Sequence, residues 1–298
     1  MRLLRIAFAA SILLAGVLAQ GAVRADERVK VVASFTILAD FVRNVGGDRV
    51  DVVALVGPDA DAHVYTPSPA DAKTIAAAKL VVVNGLGFEG WLPRLVKSSG
   101  GTARIVVATD SIVPLKEPAG GHHSVDPHAW QSVSNAKVYA ENIRRALAEV
   151  DPASADSYRA NAERYVVQLD ALDRDVRAMV AQIPQARREV ISTHGAFGYF
   201  AAAYGVTFVA PQGVSTDSEP SARDLARIIA QIRKEKIPAI FLENISDPRL
   251  IRRVAAETGA KIGGTLYSDS LTDEKGEAPT YIDMVRHNIK TLQDALDK

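Results

Sequence analysis

The chain has no cysteine in its 298 residues. That absence excludes structural disulfides, thiolate nucleophiles, cysteine-ligated zinc and iron–sulfur clusters together. Any metal site must therefore be assembled from histidine, aspartate and glutamate. There is no excess of either charge, since 35 Lys and Arg stand against 35 Asp and Glu. A balanced chain lacks the general basic surface that holds nucleic acid, so no nucleic-acid partner is expected. There is no apolar run of membrane-spanning length. Ile6 to Leu18 is apolar apart from Ser11, short of the ~20 residues a span requires. The motifs HExxH and GxSxG are also missing, which argues against a zinc peptidase or a serine hydrolase.

What is present begins with an export signature. Arg2 and Arg5 precede the apolar stretch, and small residues follow up to Ala25, with Val23 and Ala25 at suitable cleavage positions. The expectation is a signal peptide over residues 1–25 and a periplasmic mature protein. Without cysteine, no lipid anchor can be attached at the cleavage point. Loss of Arg2, Arg5 and Arg24 leaves the mature chain mildly acidic.

After Asp26, short β-branched runs alternate with helical patterns. Lys30–Ser34, Val50–Val56, Leu80–Val83 and Arg104–Ala108 read as strands, with helices at Ile37–Val45 and Ala70–Ala78. From Pro152 to Ile183 no proline or glycine intervenes. Tyr158, Ala162, Tyr165, Leu169, Leu172, Val176, Met179 and Ile183 form one apolar face. Such a helix would be ~48 Å long, a strut between two lobes. Alternation then resumes with strands at Glu189–Thr193, Val206–Ala210, Ala239–Leu242 and Lys261–Leu266. Helices are expected at Phe197–Tyr204, Ala222–Glu235, Leu250–Thr258 and Tyr281–Leu296. The fold expected is α/β: two lobes, each a parallel sheet flanked by helices, joined by one long rigid helix. The domains would be 26–150, a linking helix 151–184, and 185–298. A weak echo relates them, since "VVASFTILADFVRNVGG" and "VISTHGAFGYFAAAYG" carry the same order of strand, polar bend, helix and glycine.

Six histidines exist, and their placement carries the chemistry. His63, His128 and His194 each follow a strand, as does Asp269 in "YSDS". Ligands of parallel sheets bind outside the carboxyl ends of strands. One histidine at such a place is ordinarily a hydrogen-bonded loop residue. Four suitable side chains at four strand ends point jointly to a bound ion.

The sequence also resembles the periplasmic metal-binding proteins of zinc and manganese ABC importers, the adhesin-like solute-binding proteins. The matching stretches are "DAHVYTPSPADAKTIAAAKLVVVNGLGFEGW", "DPHAWQSVSNAKVYAENI", "ISTHGAFGYFAAAYGV", "GVSTDSEPSARDLARII" and "YSDSL". The resemblance implies one metal held by His63 and His128 from one lobe and by His194 and Asp269 from the other. It also implies delivery to an inner-membrane ABC permease, by a monomer that a periplasmic metallochaperone could load. In manganese-selective members the third position is typically Glu. His194 there points to one Zn²⁺ per chain ahead of Mn²⁺, because nitrogen-rich sets favour zinc. One carboxylate among the ligands gives the occupied site a formal charge of +1. Four ligands leave no open position, so a binding protein is expected rather than the alternative, a zinc-dependent hydrolase. A surface adhesin, the third alternative, would need an anchor.

Other features read as background. Gly85, Gly87 and Gly90 form a nominal GxGxxG, with Asp110 downstream, but Trp91 and Pro93 follow at once, so a strand-to-helix turn is expected. His122 and His123 lie in a glycine-bearing loop read as solvated. His287 reads as a surface residue. Glu219 and Glu243 could replace Asp269, with Glu219 the favoured partner for a ligand's ring N–H.

Overall fold

The computed structural model describes residues 28–116 and 125–297. The expected signal segment and His122 and His123 lie outside these residues. In the first lobe, β1 (Val29–Phe35), α1 (Thr36–Gly46), β2 (Val50–Val56), α2 (Pro69–Ala77), β3 (Leu80–Val83), α3 (Leu92–Ser99) and β4 (Arg104–Val107) alternate as expected. The second carries β5 (Glu189–Ile191), α6 (Gly198–Tyr204), β6 (Thr207–Val209), α7 (Ala222–Glu235), β7 (Ala239–Glu243), α8 (Arg249–Thr258) and β8 (Lys261–Leu266). Each lobe holds a four-stranded sheet, paired wholly in parallel, in the orders β2-β1-β3-β4 and β6-β5-β7-β8. The two orders are the same permutation, so the echo seen in the sequence coincides with equivalent units, β1–α1 and β5–α6. Each of those helices stops at a glycine with positive φ, 59° at Gly47 and 76° at Gly205, a backbone state that suits residues without a Cβ.

Three further helices complete the described chain: α4 (Val133–Val150), α5 (Ala155–Gln182) and α9 (Tyr281–Leu296). The long helix is α5, 28 residues after a short 3-10 turn at Pro152–Ser154, about 42 Å from end to end. Its buried face is the expected one with Val180 in place of Met179. It is no bare strut. Along its length α5 packs against α4 and α1 of the first lobe and α9 and α6 of the second. Helix α4 is absent from the expected pattern because its buried face, including Ala136, Ala140 and Ala146, is rich in alanine and weak in hydropathy.

One apolar cluster runs through both lobes. It includes Phe35 and Phe41 of the first, Trp130 and Tyr139 around α4, Tyr165 and Leu169 of α5, and Phe200, Tyr281 and Leu292 of the second. Two smaller clusters lie under the outer helices, around Val81 and Ile75, and around Ile240 and Ile251. Among the described residues no helix is long and apolar enough to cross a membrane.

Candidate metal centre

The carboxyl ends of the strands of both sheets meet at the junction of the lobes. His63 lies in the loop after β2, where Trp91 Nε1–H donates to the carbonyl of Ala62 at 2.8 Å. The Phe88 ring stands edge-on to the imidazole, with centroids 4.7 Å apart. His128 follows β4. Asp126 Oδ1 lies 2.8 Å from both its backbone N and its ring Nδ1. Just beyond it, Trp130 Nε1–H and the Gln131 amide both donate to the carbonyl of Ser268, at 2.9 and 2.7 Å. Those bonds tie the His128 segment to the opposite lobe, one residue before Asp269.

His194 sits three residues past β5, and Glu243 at the end of β7 organises it. Glu243 Oε1 accepts the backbone N–H groups of Thr193 and His194 at 2.7 and 3.0 Å, while Oε2 lies 2.5 Å from His194 Nδ1. Asp269 follows β8, whose end is fixed by Asn288 of α9. Its amide bonds both the N–H and the carbonyl of Tyr267, at 2.8 and 2.7 Å.

These placements bring the four expected residues together, with one donor atom from each inside a 4.8 Å span. His63 Nε2 and His194 Nε2 lie 3.3 and 3.4 Å from His128 Nε2. Asp269 Oδ2 lies 3.2, 3.6 and 3.2 Å from the Nε2 atoms of His63, His128 and His194. A tetrahedron with metal–ligand bonds of ~2.05 Å has edges of ~3.3 Å. Five of the six donor pairs have about this spacing and all four atoms lie within 4.8 Å of one another, close enough to share one small divalent ion.

The electrostatics lead to the same point. Asp269 is fully buried, and neither carboxylate oxygen receives a hydrogen bond from an aligned donor. A buried carboxylate in that condition is costly unless a cation compensates it. Burial would raise its pKa, but the adjacent His128 and His194 charges hold it well below the usual carboxylate range. Burial lowers His128 too, yet Asp269 and Asp126 outweigh it and push His128 up to about 9. His194 is likewise raised well above an ordinary imidazole, burial being outweighed by Glu243 and Asp269. His63 goes the other way, held down by burial that Asp269 only partly offsets. Without metal, protons on His128 and His194 supply the positive charge the pocket demands.

Two of these positions correct the reading from sequence. The carboxylates facing ligand rings are Asp126 and Glu243, not Glu219, which is exposed. The pocket thus contains three carboxylates, so a divalent ion would leave it at a formal −1 rather than +1. Asp126 was legible in part, because "DAH" and "DPH" repeat an aspartate two residues before each first-lobe histidine. Asp61 Oδ1 accepts His63 N–H at 2.8 Å just as Asp126 accepts His128 N–H. His287 is not a plain surface residue either. It is half-buried against the Tyr267 ring, with Nε2 3.1 Å from the carbonyl of Thr265. The Gly85–Gly90 stretch is the expected turn, and Glu89 within it is buried, accepting Ser34 Oγ–H at 2.6 Å and the N–H groups of Asn84 and Gly85.

Residues 31–295 match the family described as the periplasmic component A of the zinc-uptake complex. The chain belongs to that family. It is accordingly a metal-binding, solute-binding protein of an ABC transporter, and not an enzyme. The family's metal-binding proteins resemble this chain across nearly all of its length. The iron-binding protein YfeA of Yersinia pestis is 37% identical over 267 residues, 89% of this chain and 86% of the relative. The manganese-binding lipoprotein MntA of Halalkalibacterium halodurans is 34% identical over 273 residues, 91% of this chain and 90% of its own length. The periplasmic zinc-binding protein TroA of Treponema pallidum superposes with a TM-score of 0.86 at 31% identity, covering 91% of this chain and all of its own.

Proposed function

We propose that this chain captures Zn²⁺ between its lobes through Nε2 of His63, His128 and His194 and a carboxylate oxygen of Asp269, one ion per molecule. The observation that carries the reading is the donor spacing of 3.2 to 3.6 Å around a buried carboxylate that no aligned donor satisfies. Asp126 and Glu243 fix the outer nitrogen of two ligand rings, which selects Nε2 as the donor and raises its basicity. Three nitrogens with one oxygen favour zinc over harder ions. A second reading, Mn²⁺, rests on relatives named for manganese, MntA among them. Two carboxylates behind the ligands also add negative charge, which a dication of either kind would offset.

In this proposal the segment 1–25 is removed on export and the mature chain works free in the periplasm as a monomer. Several relatives are named lipoproteins; a chain without cysteine lacks the residue that carries such a lipid. Residues 26–150 and 185–298 form the lobes about the linker 151–184. The loaded protein docks on an inner-membrane ABC permease and yields its ion there, and a metallochaperone could supply it. The test is competition between Zn²⁺ and Mn²⁺ on metal-stripped protein, with the ion counted by elemental analysis. One tightly held zinc that excess manganese does not displace is expected. Displacement by equimolar manganese would overturn the zinc reading.

A further inference from the structure

The four metal-site residues are not held alike. The side chains of His128, His194 and Asp269 are fully buried, whereas that of His63 is 4% exposed. A cavity of about 130 Å³ opens on this side, and of the four residues His63 alone lines it, with Phe88, Val214, Ser215 and Asp217. His128 and His194 each have a carboxylate on the ring Nδ1. The aspartate that precedes His63 bonds its backbone instead. An ion entering or leaving by this cavity meets His63 first.

What restrains the His63 segment comes from the opposite lobe. Asp61 has two carboxylate oxygens with two different duties. Oδ1 accepts His63 N–H at 2.8 Å, while Oδ2 accepts the hydroxyl of Thr216 at 2.6 Å, across 155 residues of sequence. Thr216 belongs to the loop between β6 and α7. The Gln212 amide steadies that loop, donating to the carbonyls of Thr216 and Ser218 at 3.2 and 2.8 Å. The same loop joins the other ligand segment, because Gly195 N–H, directly after His194, donates to the carbonyl of Gly213 at 2.9 Å. A side chain would be tight there: a Cβ on Gly195 would lie 3.3 Å from the Gly213 backbone. Hydrogen bonds joined by short stretches of chain thus lead from Gly195, next to His194, through the Gln212–Thr216 loop to Asp61 and His63.

We propose that Asp61 and Thr216 form a latch across the mouth of the site: positioning residues that set how fast the ion is released. The latch rests on the function proposed above. It acts on His63 through the backbone, so its loss frees one ligand without removing any. Metal departure requires the Thr216–Asp61 bond to open, and a permease that accepts the ion must break it. Asn244 also reaches the Asp61 loop, donating to Asp59 at 2.9 Å, but among the described residues Asp61 is the one whose carboxylate bonds both the second lobe and the N–H of a ligand.

The test is stopped-flow release of zinc into excess chelator from the full mature chain. Thr216→Val removes the hydroxyl at constant shape. Loss of a charge-assisted hydrogen bond should speed release about tenfold. Thr216→Ser, which keeps the hydroxyl, should release at about the parental rate. Asp61→Ala removes both accepting oxygens, so it should also release faster, and adding Thr216→Val to it should change nothing further. A merely structural Thr216 would instead lower the melting temperature of metal-free protein and leave the release rate alone. If Thr216→Val fails to fold, the Asp61→Ala and Thr216→Ser pair decides the matter alone. A parent that holds neither zinc nor manganese overturns the proposed function. A parent that holds one of them, with a Thr216→Val variant that releases it at the parental rate, overturns the latch.

Discussion

Proton competition is the most direct consequence of the pocket's electrostatics. His128 is pushed up to about 9 by Asp269 and Asp126 in spite of its burial, so at pH 7 only a small minority of molecules presents a neutral ring there. Zinc binds only the neutral ring. Displacing the proton at pH 7 costs a few kcal/mol, at ~1.36 kcal/mol per pH unit. Apparent zinc affinity should therefore rise about tenfold per pH unit between pH 7 and 9 from His128 alone. His194, also raised, adds to the proton count and steepens the slope, while His63, held low, adds little near neutrality. The sign for stability runs in the opposite direction. A raised folded-state pKa stabilises the metal-free fold fully below the free imidazole value of ~6.5, and that contribution is lost as pH rises through about 9. Alkaline conditions should thus weaken the empty protein and favour the loaded one. Calorimetric titration at pH 7.5 in buffers of different ionisation enthalpy counts the protons, with one to two per zinc expected. Asp126→Asn removes one of the charges that hold the His128 proton and should reduce the count. Zinc affinity that is flat from pH 7 to 9, with all its change below pH 6.5, would refute this reasoning.

Other outcomes follow from the same geometry. Ala in place of His63, His128 or His194 should weaken zinc binding at least a hundredfold by competition titration, since water cannot replace a preorganised donor; a parental affinity for His128→Ala would remove that residue from the site. His194→Glu should narrow the zinc-to-manganese preference by supplying a second oxygen, while weakening both, because the new carboxylate would face Glu243 at the position where an imidazole now sits; paired titrations measure the ratio. Gly198→Ala should disturb the site from outside it, as the added Cβ would lie 2.3 Å from Asp126 Oδ2. Displacing Asp126 should lower zinc affinity about tenfold, or by ~1–2 kcal/mol as overpacking does elsewhere, and unchanged binding would show that Asp126 tolerates the shift. Zinc at a hundred times its dissociation constant should stabilise the parent by ~2.7 kcal/mol in a thermal or denaturant melt.

Much of this was legible because period and punctuation agreed. Ala222–Glu235, Lys261–Leu266 and Tyr281–Leu296 have the bounds the sequence pattern suggests, each set by a capping residue or by glycine or proline nearby. The four metal-site residues were visible as strand-end residues because parallel sheets place their functional groups there. What stayed hidden has two causes. Helix α4 buries alanines, whose small side chains pack closely without raising the hydropathy signal. Glu243 could not be told from Glu219 by position, as both follow strands of the second lobe. Only the pairing of β5 with β7 brings the end of β7 beside His194. Long-range partners of this kind leave no mark on spacing. The raised pKa values were hidden for the same reason, since they arise from three carboxylates gathered from distant segments.

The apolar cluster that runs unbroken through both lobes also governs how this molecule can come apart. Neither half owns its interior: Phe41 of the first lobe packs on Tyr165 of α5 and Tyr281 of the second lobe, and the Tyr281 hydroxyl donates to the carbonyl of Trp130. A chain clipped between the lobes would expose this aromatic surface to water on both fragments, and each would be prone to aggregate rather than persist. Proteolytic damage is thereby made all-or-none, and melting should be a single cooperative transition despite two sheets of separate strands. The molecule looks like a duplicated unit, yet it lives or is degraded as one.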